Sequence, residues 1–262
     1  MKTELIENMN MDVYRRSDGL SKHELDNFAV CPALYEFKKR EKREPSKSMI
    51  LGTLIHALVL EGRRDYAVAP TDINRRTNAG KAEWEEFCIQ NAGKEVITAA
   101  DEAIVLGASE SAIELLSSFT KHHKTEVSMY WERDGVQCKG RADMICTFMT
   151  RDQDRKAIVD LKTTTEIQRF DQKVYAFNYD KQAAWYQYGY QEIEKLQNNA
   201  VVPVDFYFLA VDVEPPFLSQ FILVGNSMIS NANSWIADQL DAFKAYKSGE
   251  LSAGMPPIRV LL

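Results

Sequence analysis

Two short acidic segments, Gly140-Arg141-Ala142-Asp143 and Val159-Asp160-Leu161-Lys162-Thr163, each sit in a stretch whose apolar neighbours read as a β-strand. Side chains alternate between faces along a strand, so Lys139, Arg141 and Asp143 share one face of the first segment, and Asp160 and Lys162 share one face of the second. If the segments pair, two carboxylates and an ammonium converge. Aspartate is disfavoured inside strands, and burying an unpaired carboxylate is costly, so a fold that accepts Asp143 beside Met144-Ile145 and Asp160 after Ala157-Ile158-Val159 has to supply a counter-charge. Like charges at contact distance raise one pKa sharply, and a divalent cation relieves the conflict. An acidic pair with a lysine two residues along is an arrangement suited to a Mg²⁺ site for phosphodiester hydrolysis.

The punctuation of the chain places these segments in a larger order. Ser21-x-x-Glu24 is a capping box that opens a helix, Pro32 restarts it at a first-turn position, and the pattern runs to about Arg43, with Pro45 closing it. An apolar helix at 48–61 carries His56. Another at 79–92 has Trp84, Phe87 and Cys88 on one stripe. Residues 63–78, with two Arg pairs and no periodicity, read as a surface loop. A helix at about 99–118 leads into strands near 125–133, 136–147 and 156–162, joined by a turn at Asp134-Gly135 and by the charged stretch 151–155. A helix at 178–197, strands near 203–213 and 217–224, and an amphipathic helix at about 227–247 complete the pattern. His122-His123 reads as a surface turn without a role. The expectation is one α/β domain over 1–262: a flexible terminus at 1–19, a mainly helical part at 20–120, and at 121–262 a central mixed sheet with flanking helices.

Bulk properties bound the partners. With 262 residues, 45% hydrophobic and 27% charged, the chain is long enough to bury a sizeable core as one domain. No apolar run approaches membrane-spanning length, and Met1-Lys2-Thr3-Glu4 lacks the apolar core of a signal peptide, so no membrane partner and a cytoplasmic location are expected. Cys31, Cys88, Cys138 and Cys146 lack CxxC spacing and read as free thiols in a reducing compartment. The net charge of −6 does not favour nucleic acid, but cations cluster at Lys38-Lys39-Arg40, Lys42-Arg43, Lys47, Arg63-Arg64 and Arg75-Arg76. The local field, not the total, steers a polyanion. A stripe of this kind equally suits an ordinary solvated helix face.

Asp143 followed by Asp160-Leu161-Lys162 resembles the PD-(D/E)XK nuclease signature, with the first acid in the Gly-Arg-Ala-Asp setting of its RecB-like branch. Further pieces fall in that family's order: Leu20-Ser21 through Cys31-Pro32 and Tyr35, Gly52-Thr53-Leu54-Ile55-His56, Glu126, and Gln182 with Tyr186. The resemblance covers about residues 20–190, and the run from Gly52 to Glu61 is most similar to the RecE-type exonuclease domain, also called exonuclease VIII, of phages and prophages. A lone D…DxK arises often by chance; five ordered pieces do not.

The resemblance implies a Mg²⁺-dependent exodeoxyribonuclease, with Mn²⁺ able to substitute, that degrades linear duplex DNA from the 5′ end and leaves 3′ overhangs for a single-strand annealing recombinase. It implies a ring-shaped homo-oligomer, a trimer or tetramer, in a bacterial host. Rival readings are a structure-selective or single-strand endonuclease of the same superfamily and a non-catalytic DNA-end-binding protein. On a lone apolar helix His56 would be a core histidine bonded to a backbone carbonyl; the resemblance makes it a metal ligand with Asp143, Asp160 and the Leu161 backbone carbonyl. It likewise brings Glu126 to the metal shell and Gln182 and Tyr186, four apart on one helix face, to the scissile phosphate. Lys162 is the expected catalytic lysine. The basic helix end with Arg40 and Arg43, followed by Ser46 and Ser48 at the start of the His56 helix, is an expected anchor for a DNA 5′ phosphate, because a helix N-terminus offers free N–H groups and a positive dipole. Arg141 is assigned to the same DNA-binding set.

Overall fold

The computed structural model describes residues 2–41, 44–199 and 202–254, and the structural statements below concern these. Its centre is a mixed seven-stranded sheet of β1 (Glu4–Ile6), β2 (Leu20–Ser21), β5 (Thr120–Arg133), β6 (Val136–Phe148), β7 (Arg155–Thr164), β8 (Val204–Asp212) and β9 (Ser219–Leu223). The strand order is β1-β5-β6-β7-β8-β9, with β2 pairing β6 in parallel. Neighbours are otherwise antiparallel, except that β7 and β8 run parallel. Parallel strands cannot be joined by a hairpin. The crossover is supplied by a short helix α7 (Phe170–Ala176) and the long α8 (Tyr179–Asn198).

Period-two alternation in β8 shows how the sheet divides the core. Phe206, Phe208 and Ala210 pack into one apolar cluster, where Trp185, Ile193, Ile236 and Leu240 come from α8 and α9 (Asn226–Lys247), and Phe28 and Tyr35 from α2 (Lys22–Val30) and α3 (Pro32–Arg40). Tyr207, Leu209 and Val211 face a second cluster, with Leu54 and Ile55 of α4 (Lys47–Glu61) and Val105, Ala108 and Ala112 of α6 (Ala99–Phe119). Helices therefore cover both faces, which satisfies the apolar requirement of a β7–β8 pair buried on both sides.

Local signals in the chain are realised as hydrogen bonds. Ser21 caps α2 with its side chain accepting from Glu24 N, while the Glu24 carboxylate accepts from Ser21 N at 2.8 Å. Asp134 and Gly135 have φ of 51° and 79° and close the β5–β6 hairpin between Arg133 and Val136, as a tight Asp-Gly turn requires. Gly62 ends α4 at φ 65°, its N–H bonding Leu58 O.

Three expectations fail. Residues 4–16 are not a loose terminus: β1 pairs with β5, and α1 (Met11–Arg16) follows, its C-terminal carbonyls of Tyr14 and Arg15 accepting from the buried Lys139 ammonium. A three-residue strand has too short a pattern to read, and it exists only because β5 offers an open edge. The same applies to β3 (Tyr66–Val68), inside the stretch read as a loop, which pairs in parallel with β4 (Glu95–Ile97). His122-His123 is not a turn but a bulge within β5, between the paired positions Lys121 and Lys124, with His122 at φ 50°. The fifth helix, α5 (Asn78–Gln90), lies where the Trp84 stripe puts it.

The approach of α8 to the sheet depends on Gly189. A Cβ there would lie 2.6 Å from the indole of Trp131, which is fully buried and held edge-on by Trp185 at 5.3 Å. Gly189→Ala gains about 1 kcal/mol of helix propensity. Overpacking against an immobile indole costs about 1–3 kcal/mol. The variant should lose net stability, read as a lower urea midpoint; an unchanged or higher midpoint would mean that α8 sits farther from Trp131 than this packing requires.

Candidate active site

The β5–β6 register continues from Thr125–Met144 to Val127–Ala142, which puts Glu126 beside Asp143. The β6–β7 ladder, by contrast, has its last partners at Met144 and Val159. One step beyond, the two strands part, and the Asp143 carboxylate accepts the Leu161 N–H at 2.8 Å in place of a backbone carbonyl. A side chain thus satisfies the amide where the ladder stops. That divergence leaves Glu126, Asp143 and Asp160 at adjacent positions of three neighbouring strands.

α4 crosses this point and delivers His56, whose Nδ1 lies 3.5 Å from Asp143 Oδ2. Ile55 and Leu54 beside it are buried in the core, so the helix cannot rotate His56 away without exposing them. One donor atom each from His56, Glu126 and Asp143 lies within 4.8 Å of the others. Glu126 has φ 53°, a strained value for a residue with a side chain, and Arg141 holds it there: Arg141 Nε donates to Glu126 at 2.6 Å, and its Nη1 donates to Ser128 Oγ and to Met9 O. Asp160 stands outside this trio. One of its oxygens accepts from Gln182 Nε2 at 2.7 Å, and the other, buried, faces Lys162 Nζ at 2.5 Å without a well-aligned hydrogen bond.

The electrostatics follow from burial and crowding. Burial, with Asp160 and Glu126 nearby, pushes the Asp143 carboxyl well above the ordinary range, only partly countered by Lys162. Burial works against the Lys162 ammonium, but Asp160 and Asp143 outweigh it and raise its pKa, so the lysine is a fixed cation at neutral pH. Burial and Lys162 lower the His56 pKa, so the ring is neutral and has a lone pair to offer; among its neighbours is an acceptor of the Leu161 backbone. Burial likewise pushes Tyr186 well up, so it remains a phenol. Two oxygen-donor carboxylates and a neutral imidazole, short of positive charge, fit a divalent cation.

One cleft of about 1730 Å³ is lined by His56, Glu126, Arg141, Asp143, Lys162 and Tyr186, by Asn8–Met11 and Tyr14 of the N-terminal segment, and by Ser48 of α4, whereas Asp160, Leu161 and Gln182 lie behind its lining. The expected residues are therefore brought together, with two qualifications. The donors of Arg141 are spent on Glu126, Ser128 and Met9, so it positions a carboxylate more than it faces a ligand. Of the expected phosphate anchor, Ser48 reaches the cleft; Ser46 caps α4 through Met49 N, Arg40 ends α3 near Glu36 at 3.8 Å, and Arg43 lies outside the described residues.

A family model for the PDDEXK-like domain of unknown function (DUF3799) matches residues 21–255. The chain belongs to this family. The PDDEXK-like domain is also similar in fold to a crystal structure described as a "putative exonuclease" from Eubacterium rectale, at TM-score 0.60 and 17% identity, covering 94% of this chain and 88% of that one. SSO0001 matches at TM-score 0.29 and 17% identity over 73% of this chain and 86% of that one, too distant to carry an argument. Among curated proteins no sequence matches. The PDDEXK-like assignment and the mixed sheet flanked by helices thus stand together with a carboxylate–histidine group whose spacing could hold a metal ion. Among the described residues, no helix is long and apolar enough to cross a membrane.

Two contributors are missing from the sequence reading. Tyr179 places its ring 4.9 Å from Lys162 Nζ; it precedes Gln182 and Tyr186 by three and seven residues, a helical-face spacing that could have drawn it in. The N-terminal segment gives Met9 O to Arg141, and no periodic signal marks it.

A metal-free measurement tests the cluster. Because the folded pKa of Asp143 is raised, its ionisation burdens the folded state: the penalty is absent below the unfolded value of about 3.9, grows as pH rises, and is complete above the folded pKa. Without added cation, Asp143→Asn should melt above wild type at pH 7, with the gap closing near pH 3. Added Mg²⁺ or Mn²⁺ should raise the Tm of wild type but not of the variant. An equal metal-induced rise in both would remove Asp143 from the metal site.

Proposed function

We propose that this chain is a Mg²⁺-dependent exodeoxyribonuclease that degrades linear double-stranded DNA, 5′ to 3′, and leaves 3′ overhangs for a single-strand annealing partner. The observation that carries the nuclease reading is the convergence of His56, Glu126, Asp143 and Lys162 on one cleft, with the buried Asp160 paired to the lysine behind it. The exonuclease refinement is supported by the RecE-like run from Gly52 to Glu61 and by the description of the Eubacterium rectale neighbour. The ring-shaped trimer or tetramer, the bacterial cytoplasmic setting and the phage or prophage origin rest on the same resemblance.

His56, Glu126 and Asp143 would hold the cation, with Asp160 and the Leu161 carbonyl adjoining them. A bound Mg²⁺ or Mn²⁺ supplies Lewis acidity to the phosphoryl oxygen and lowers the pKa of water at the site. The chain's own residues do the rest. Lys162, held as a cation by Asp160 and Asp143, is no general base; its ammonium donates toward charge that develops on the phosphoryl oxygens. Gln182 fixes Asp160, and so the direction in which Lys162 is drawn. Arg141 fixes Glu126. Tyr186 and Tyr179 line the cleft, the Tyr179 ring flanking the lysine. Hydrolysis with water as nucleophile gives 5′-phosphorylated nucleotides.

Linear duplex labelled at either end and covalently closed circular duplex, each with Mg²⁺, test the proposal. Mononucleotide release from the 5′-labelled end with intact circles is expected. Nicked circles would establish an endonuclease instead, and no hydrolysis of any DNA would leave an end-binding protein.

Lys162→Ala separates chemistry from binding. A charge used mainly in the transition state contributes to rate more than to affinity, so turnover should fall by roughly 10²- to 10³-fold or more while DNA affinity changes little. Equal losses in rate and affinity would make Lys162 a phosphate-docking residue.

A further inference from the structure

Between α7 and α8 the chain turns sharply at Asn178, which has φ 54°, and the turn leaves Phe177 58% exposed. Exposure of one large apolar ring is common, but this one lines the cleft that holds His56, Asp143 and Lys162. It is also the outer member of a row of rings. Phe170 is buried in the core; Tyr179 stacks on it with centroids 6.0 Å apart and planes 28° apart. Lys162 Nζ sits 4.9 Å from the centre of the Tyr179 ring, and Phe177 lies 5.6 Å from Tyr179 at 36°. The row thus leads from the core, past the catalytic lysine, to a ring with solvent on its outer side.

The turn that carries it is tied down. Phe177 N donates to Lys173 O at 3.0 Å, Lys22 Nζ donates to Phe177 O at 3.4 Å, and Lys181 Nζ donates to Asn178 Oδ1 at 3.0 Å. A rigid, exposed aromatic ring beside cationic groups in a cleft meets the requirements for stacking on a base: every nucleobase has a π-face, and a ring already fixed loses little entropy on contact. A flat apolar ring in the same cleft lining as Lys162 and Lys173 is a poor seat for another protein's charged rim and a good one for a base whose phosphates reach those lysines.

We propose that Phe177 is a stacking platform for an unpaired nucleobase of the substrate strand, adjacent to the scissile phosphate. The proposal rests on the nuclease reading and adds to it a single-stranded, sequence-tolerant subsite at the mouth of the cleft. It requires the terminal base pair to be open when the strand reaches Lys162.

The test is equilibrium binding of a hairpin DNA with a short single-stranded 5′ end, with Ca²⁺ in place of Mg²⁺, followed by fluorescence anisotropy. A parallel set carries one abasic nucleotide at successive positions of that end. Phe177→Ala should weaken binding of the intact strand by about 5- to 150-fold, the range of one lost base–aromatic stack. One abasic position should weaken wild type by a similar factor, and there the variant should lose nothing further. Phe177→Trp should restore binding. Tyr175→Ala, at a ring 64% exposed but away from the cleft lining, should bind as wild type does. If Phe177→Ala binds intact DNA as wild type does, or loses the same factor on intact and abasic strands, the stacking proposal is overturned while the nuclease reading survives. If wild type neither binds nor cleaves DNA, both fall.

Discussion

The candidate cleft depends on one hydrogen bond, from the Leu161 N–H to the Asp143 carboxylate at 2.8 Å. Had β6 and β7 stayed paired, a backbone carbonyl would have taken that amide, and both aspartates would have been locked into a continuous ladder. A side chain that substitutes for the backbone lets the strands part at no loss of hydrogen bonding. The gap between them is where His56 enters from α4, and Leu161 is buried in the same cluster as Leu54 and Ile55 of that helix.

Around that gap the charges are arranged in two layers. Asp160, Lys162 and Gln182 form a closed group in which an amide donates to one carboxylate oxygen and the ammonium pairs with the other. Asp143, Glu126 and His56 form an open group in which one carboxylate is paired with Arg141 and the other is held near neutrality by burial. A buried ion pair contributes little net stability, since desolvation offsets its attraction. Its use here is directional: it fixes a cation at one end of the cleft and leaves the His56, Glu126 and Asp143 donor atoms grouped at the other. The strained φ of Glu126 belongs to the same arrangement, because Arg141 and the Met9 carbonyl hold in place a residue that an ordinary strand would not keep.

The long elements were legible in the chain because their signals are local. The Ser21–Glu24 box, Pro32, the apolar helix with His56, the Asp134-Gly135 hairpin and the alternation in 204–212 all specify a conformation within one or two turns of sequence. The short strands β1, β3 and β4 were not, since three residues carry no period and each is induced by an edge supplied elsewhere in the fold. The bulge at His122-His123 reads as a turn for a related reason: a short polar run between Lys121 and Lys124 looks alike locally in either case, and only the continued register on both sides marks it as an interruption of one strand.

For the site, residue types and spacing in the chain were enough to single out Asp143, Asp160 and Lys162, because carboxylates inside apolar strands are expensive and so demand a reason. Resemblance added His56, Glu126, Gln182 and Tyr186, which one-dimensional chemistry alone would have left as a core histidine, a solvated acid and a polar helix face. Which oxygen faces which partner was decided only in three dimensions. That Asp160 serves Lys162 and Gln182 while Glu126 joins Asp143 and His56 follows from where β6 and β7 separate. That Arg141 turns inward, and that the N-terminal segment closes one wall of the cleft, follows from β1 finding the free edge of β5. Such contacts join residues more than a hundred positions apart, and their energies depend on burial and distance, which no local pattern encodes.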